Sequence, residues 1–415
     1  MKKFLISAEQ LVTMAFLMIY SGTPLDPFLS AGSSEVAGDR TIFRLLFATT
    51  YIVSFLLIVL RWKKVTYVLS RDKLLWVLIG FCALSSFWSI DSGITIRRFF
   101  GLIGTTLFGI YLASRYTLKQ QLKLCAYVLA ISAVACFFFA LFLPQYGLAG
   151  DAWRGIYPQK NVLGRRFVLS TAIFFFLVMT TRENRWFSWL GYITSGVLIL
   201  LSKSTTSLGN FIMITGAILI YYRILRLKYN IMVPILTFFS TLSLVFYVWF
   251  VTQADALLGS LGKDTTLTGR SELWPAVFEM IQKKPWLGYG YGAFWESPNG
   301  EFDTIIQTVQ WNTPNAHNGF LDLWLGLGLL GLLVFLMGFV TNFLRAIYLI
   351  RLDETDVNAW LLVYLTFIIL SNLTETTLVD QNSLEWVLYV AAVSSSKIYT
   401  SANLRKWNQQ TSYIV

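Results

Sequence analysis

Apolar runs near 20 residues recur from one end of this 415-residue chain to the other. A run of that length crosses the roughly 30 Å hydrocarbon core of a bilayer as a helix. In lipid, every backbone N–H and C=O must find its partner within the protein, which leaves helices as the reading for such runs. The pattern predicts an all-α polytopic membrane protein with about twelve spans, near 7–24, 42–60, 73–90, 97–114, 121–142, 162–180, 186–202, 205–222, 230–251, 318–343, 357–374 and 384–399. Charged residues make up only 13% of the chain, about half the share in soluble domains. The first run follows Met1-Lys2-Lys3 and lacks a small-residue cleavage site near Ser21-Gly22, so it reads as a retained helix.

Charge then orients the spans. With the N-terminus in the cytoplasm, twelve spans return the C-terminus there too. The cytoplasmic segments hold 20 of the 33 lysines and arginines but only 6 of the 22 acids. This is the positive-inside bias. Anionic lipid headgroups suffice as partners for the basic balance, and no nucleic-acid partner is needed. Outer basic residues run against that bias and need another reason. They include Arg97, Arg98, Arg154, Lys160, Arg165, Arg166 and Arg270.

Residues 1–415 read as one transmembrane domain, with a large outer loop at 252–317 inserted before a long span. Within that loop Leu273, Val277, Met280 and Ile281 share one helical face. The expectation is a short amphipathic helix lying on the membrane surface, closed by Lys283-Lys284-Pro285. Gly288-Tyr289-Gly290-Tyr291-Gly292 reads as a flexible aromatic loop.

The single histidine and three scattered cysteines exclude a multi-histidine metal site and a disulfide framework. Cys82, Cys125 and Cys136 read as small buried apolar residues. His317 stands just before a long span. Histidine suits proton transfer near neutral pH, and an interfacial or cap-adjacent histidine is the bland alternative. Arg165 and Arg166 fall in the first turn of their expected span, where a cation opposes the helix dipole and a bound anion would explain it. Arg154 and Arg270 lie on outer loops that could fold over the same place. Glu375, beside a span end, either holds an arginine, accepts a proton or is a solvated loop acid. Asp322, five residues after His317, is an intramembrane acid that could face the same site. Gly328 and Gly331 read as positions of close helix approach.

Four stretches carry a resemblance. Gly269-Arg270-Ser271-Glu272-Leu273-Trp274 with Pro285-Trp286-Leu287-Gly288-Tyr289-Gly290, and His317-Asn318 followed by Gly328-Leu329-Leu330-Gly331, resemble the outer loop and histidine motif of the O-antigen ligase and polysaccharide polymerase superfamily. Trp153-Arg154-Gly155-Ile156-Tyr157-Pro158-Gln159-Lys160-Asn161-Val162-Leu163-Gly164 is closest to its exopolysaccharide-polymerase branch, with Gln159 where many members carry histidine. Trp88-Ser89-Ile90-Asp91 with Arg97-Arg98 resembles an early outer-loop pattern.

The resemblance implies a GT-C-like glycosyltransferase in the bacterial inner membrane, with no metal and no cofactor, working on its periplasmic face. The donor would be a glycan on undecaprenyl pyrophosphate. The acceptor would be a second glycan (a polymerase) or a lipid A core (a ligase), and a chain-length regulator is a possible partner. A protein O-oligosaccharyltransferase is a variant. In this frame His317 is the catalytic base, Arg154, Arg165, Arg166 and Arg270 hold the pyrophosphate, and Lys160, Asn318, Asp322 and Glu375 support them. A transporter or flippase of glycolipid is the alternative of another class. Transporters place ionisable groups near mid-membrane and show repeats with broken helices, whereas these charges gather at one face.

Overall fold

The computed structural model describes residues 2–23, 40–62, 65–66, 72–223, 227–235, 237–238, 241, 270–297, 301–311, 313–352 and 356–411. The expected span at 230–251 falls mostly outside the described residues, as do Gly269 and the loop at 252–269.

The longer helices among the described residues are, in chain order, α1 (Lys2–Ser21), α2 (Arg40–Val59), α3 (Lys73–Leu84), α4 (Ser92–Arg115), α5 (Leu118–Phe142), α6 (Lys160–Thr180), α7 (Arg185–Leu201), α8 (Thr205–Arg223), α9 (Arg270–Lys283), α10 (Glu301–Val309), α11 (Gly319–Leu352), α12 (Asp356–Asn372) and α13 (Leu384–Thr411). Each expected span other than 230–251 coincides with a helix. Among the described residues, α2, α4, α5, α6, α8 and α11 contain stretches long and apolar enough to cross a membrane, and α3, α7 and α12 are shorter apolar helices. A two-stranded antiparallel ladder, Leu148–Ala149 with Ala152–Trp153, is the single sheet among the described residues.

Local chemistry sets the helix starts. Asp91 accepts from Ile94 N–H at 2.9 Å and opens α4. Thr117 and Gln120 form a reciprocal capping box at α5. Asp72 caps α3, accepting from Leu75 N–H at 3.1 Å, and pairs with Lys397 of α13 at 2.6 Å. The centre of the bundle is α6, whose apolar window is 83% buried against 17% for α2 and α8. Phe167, Phe174 and Phe176 are among its fully buried side chains.

α11 departs from a simple span. It is broken at Gly328, where φ is 68° and ψ −178°. A Cβ there would meet the Trp286 carbonyl at 2.2 Å, so only glycine fits. The helix's freed backbone groups are taken up by the loop after α9. Leu329 N–H donates to Pro285 O at 2.8 Å, and Leu330 N–H to Trp286 O at 3.3 Å. In return, Tyr289 N–H and Gly290 N–H each donate at 2.9 Å to the carbonyls of Leu325 and Gly326. A broken span in hydrocarbon is tolerated only where protein satisfies the backbone in this way.

Two expectations change as a result. The Gly288–Gly292 segment is pinned rather than flexible. Tyr289 is fully buried and donates its hydroxyl to Met280 O at 2.9 Å, and Ile90 N–H donates to Tyr289 O at 3.1 Å. The apolar face of α9 carries Leu273, Val277, Met280 and Ile281 as expected, all buried. It packs on Tyr289, Phe294, Ile305, Ala316 and Leu325, so protein rather than a membrane surface covers it. The helix ends at Lys283, two residues before Pro285.

Candidate active site at one end of the bundle

His317 lies in a turn that other groups hold in place. Ala316 N–H donates to both carboxylate oxygens of Asp322 at 3.1 Å, and Trp274 Nε1 donates to Ala316 O at 3.0 Å. His317 N–H donates to Asn315 Oδ1 at 2.9 Å. The histidine backbone sits at φ 49°, a left-handed conformation uncommon outside glycine. Its imidazole stacks on Trp311, with ring centroids 6.0 Å apart. Asn318 opens α11, its side chain accepting from Phe320 and Leu321 N–H at 3.0 and 3.2 Å. It is a cap that fixes where His317 leaves the helix.

Asp322 does not reach the imidazole. Besides Ala316 it accepts from Trp295 Nε1 at 2.7 Å and from the Thr376 hydroxyl. It ties the loop around α10, the histidine turn and the α12–α13 connection together.

Glu375 sits in that connection, brought beside His317 by close backbone approach. Gly319 N–H donates to Glu375 O at 3.1 Å, and a Cβ on Gly319 would meet Asn372 Oδ1 at 2.1 Å. Asn372 shapes the turn by accepting from Thr377 N–H at 2.7 Å. The Glu375 carboxylate then faces three donors. Arg270 Nη2 is 3.3 Å away, His317 Nδ1 3.7 Å and Arg165 Nη1 3.9 Å. The contact with His317 is too long for a formed hydrogen bond. Burial pushes this carboxyl up, but the His317 contact and the Arg165 and Arg270 charges outweigh it and hold the group below the usual range. Burial pulls the Arg270 guanidinium down, against the Glu375 charge that supports it.

A second carboxylate, Glu385, was not visible as a site residue in the sequence. It lies in the first turn of α13 and is 1% exposed. Arg165 Nε and Arg166 Nη1 approach its Oε1 at 3.4 and 3.2 Å, and the Ser383 hydroxyl donates to its Oε2 at 2.9 Å. An acid in the first turn of a helix is favoured by the helix dipole, so nothing in the sequence singles Glu385 out. Only the fold shows that it faces two arginines. These arginines fall in the second turn of α6, which begins at Lys160, so the helix dipole acts on them more weakly than expected.

Three guanidiniums and an imidazole thus meet two carboxylates at one end of the bundle. The pairs are ion pairs more than hydrogen bonds. Arg165 Nε, Arg166 Nε and Nη1, Arg270 Nε and His317 Nδ1 are all buried without a hydrogen-bond partner. Buried unsatisfied donors are costly and mark a place built for something other than stability. Their charge and fork geometry suit a phosphate.

Arg154 and Lys160 are not brought into this cluster. Arg154 donates to the carbonyls of Tyr146 and Gln145 at 2.8 and 3.2 Å, holding the turn before α6. Lys160 is exposed and acts on Asp151, which pairs with Lys203. Arg97 and Arg98 pair with Glu296 at 2.7 and 2.6 Å and fasten the loop to α4. Nearby, burial pushes the Asp380 carboxyl up to about 6, more than the Arg98 charge pulls it down. Among the described residues no three of His, Cys, Asp and Glu group as a metal site.

Residues 190–336 match the O-antigen ligase family. The chain is also similar to the exopolysaccharide production protein ExoQ of Rhizobium meliloti (strain 1021), with 26% identity over 213 residues, or 49% of this chain and 48% of that protein. The chain therefore spans about half the length of the curated relative it matches. Both findings support the superfamily resemblance read from the motifs. The family match contains Arg270, His317, Asp322 and Gly328, whereas Arg165, Arg166, Glu375 and Glu385 come from outside it.

Proposed function

We propose that this protein is a membrane glycosyltransferase that moves a glycan from undecaprenyl pyrophosphate to a sugar hydroxyl, polymerising O-antigen or exopolysaccharide repeat units. The observation that carries the reading is the convergence of Arg165, Arg166 and Arg270 on the carboxylates beside the sole histidine, with buried N–H groups left unpartnered. The arginines hold the pyrophosphate and stabilise the charge it gains as it leaves. His317 takes the proton of the acceptor hydroxyl as its oxygen bonds to the anomeric carbon. The bond from that carbon to the pyrophosphate breaks in the same displacement. Guanidinium groups supply the positive charge that a metal supplies elsewhere, so turnover proceeds in excess EDTA. Restoration of a chelator-sensitive activity by magnesium or manganese would overturn that part. The site faces the periplasm of a bacterial inner membrane, with both termini in the cytoplasm.

The match to O-antigen ligases favours a second reading, transfer of a finished glycan onto a lipid A core. The two share the donor and differ in acceptor. Cell-surface glycans from a gene deletion separate them. Loss of long chains with single-repeat caps retained supports the polymerase, and loss of all caps supports the ligase. Unchanged glycans would reject both.

A further inference from the structure

The two carboxylates of the site are held differently. Glu385 is sealed by Arg165, Arg166 and the Ser383 hydroxyl. Glu375 is divided among partners on three elements. Oε1 faces Arg270 of α9, while Oε2 faces both Arg165 of α6 and Nδ1 of His317 ahead of α11. Two of those partners are the groups with which a pyrophosphate would pair. The third, His317 Nδ1, is buried and lacks a hydrogen bond although a carboxylate oxygen lies 3.7 Å away. A histidine base is strengthened when a carboxylate accepts a hydrogen bond from its second ring nitrogen. Here that bond is not formed while the arginines share the carboxylate.

We propose that the donor's pyrophosphate draws Arg165 and Arg270 away from Glu375 and leaves that carboxylate to His317 alone, so that donor binding completes the catalytic base. Glu375 is then a positioning residue whose charge stands in for the phosphate until the donor arrives. A phosphate carries more charge than the carboxylate and matches the guanidinium fork, so the arginines exchange partners downhill. The freed carboxylate needs to close less than 1 Å to reach hydrogen-bond distance of Nδ1. The other groups facing the imidazole are the Trp311 ring and the Asp322 charge. Asp322 is committed to Ala316, Trp295 and Thr376 and takes no part in the exchange. This inference rests on the donor-binding reading above.

The test uses the fact that the chain has one histidine. Full-length protein in detergent, purified on a tag without histidine and labelled at histidine, gives one imidazole signal whose titration can be followed by NMR. Inorganic pyrophosphate is the probe, and its binding is measured separately by calorimetry. The expected result is a midpoint that moves to higher pH with pyrophosphate in the wild type, and by less than half as much in Glu375→Gln. Without any ligand, Arg270→Ala should also raise the midpoint, because it releases one claim on the carboxylate. If pyrophosphate binds but the midpoint stays, or moves equally in Glu375→Gln, the exchange is wrong and the anion seat stands. If pyrophosphate does not bind the wild type at all, the donor-binding reading fails with it. Should Glu375→Gln not insert, the ligand-free comparison decides alone, and an unchanged midpoint in Arg270→Ala overturns the proposal.

Discussion

His317 and the arginines should separate by experiment, because one acts on a proton and the others on an anion. His317→Ala is expected to reduce transfer about 10²–10⁴-fold while leaving donor affinity nearly intact. Arg165→Ala and Arg270→Ala each remove charge-assisted hydrogen bonds worth about 1.5–3 kcal/mol, so donor affinity should fall roughly ten- to a hundredfold. Lysine at either position should rescue only in part, since it keeps the charge and loses the planar fork. Transfer and donor-binding assays on membrane-inserted variants check both, and wild-type transfer by His317→Ala would remove the base from the mechanism. Asp380 offers a test by pH. Its folded carboxyl titrates near 6, above the roughly 3.9 of an unfolded aspartate. The folded state therefore holds the proton longer, and stability falls as pH rises from about 4 through 6. Asp380→Asn lacks that slope, so its melting temperature relative to wild type should rise between pH 5 and pH 8. A difference that is flat or falls with pH would contradict the burial argument. His317, Arg165, Arg166 and Arg270 were legible as site candidates because outer cations and a lone imidazole resist bland explanations. Glu385 was not, because an acid in a first helical turn already has one.

At the scale of elements, the broken helix α11 and the loop after α9 form one unit. Hydrogen bonds run in both directions between residues 285–290 and 325–330, and this unit sets the position of α9, and with it Arg270, beside α11. Gly328→Ala would place a methyl 2.2 Å from the Trp286 carbonyl and hold a side chain at φ 68°, a conformation costing on the order of 1–3 kcal/mol before the clash. It should lower the melting temperature by several degrees and suppress transfer with His317 intact. Gly326→Ala, one turn end away, meets its nearest neighbours at 3.6 Å and should remain close to wild type in both measures. Equal behaviour of the two would mean that the break is not what positions the loop. The sequence marked Gly328 as special but for helix packing, since a glycine inside an apolar run looks the same whether a helix or a loop backbone approaches it. The flexible reading of Gly288–Gly292 failed for the related reason that three glycines signal positive φ, and positive φ is as much at home in a pinned turn as in a free one.

At the scale of the molecule, charge is sorted to the two ends of the bundle. Glu9 of α1 binds Arg61 at 2.6 Å and Arg115 of α4 at 2.9 Å, and Asp72 binds Lys397. The arginine–carboxylate cluster lies at the other ends of the helices, where α6, α11 and α13 begin and α12 finishes. Between them the core is apolar. This arrangement fits a bilayer with the site at one face, and it predicts the readout of topology reporters. Fusions at Lys63, Arg226 and Arg351 should report cytoplasm, and a fusion at Gly300 the opposite side. A cytoplasmic signal from Gly300 would place the site away from a periplasmic donor and end the proposed reaction.

The sequence by itself determined the helical class, the position of eleven of the helices and the identity of the histidine, because the hydrophobic length of a span and the charge bias of its flanks are local properties of the chain. It also carried the apolar face of α9, since periodicity survives whatever that face meets. What covers the face, which arginines reach the histidine and which acids hold them were decided only in three dimensions. Arg154 and Arg165 look alike in sequence, as outer arginines in or beside the same motif. One is taken up by the carbonyls of Tyr146 and Gln145 and the other by Glu375 and Glu385. An ion pair spanning 210 residues, such as Arg165 with Glu375, leaves no periodic or local trace. Its partners are chosen by the packing of α6 against α12 and of α13 against α4 and α12, and that packing is a property of the whole bundle.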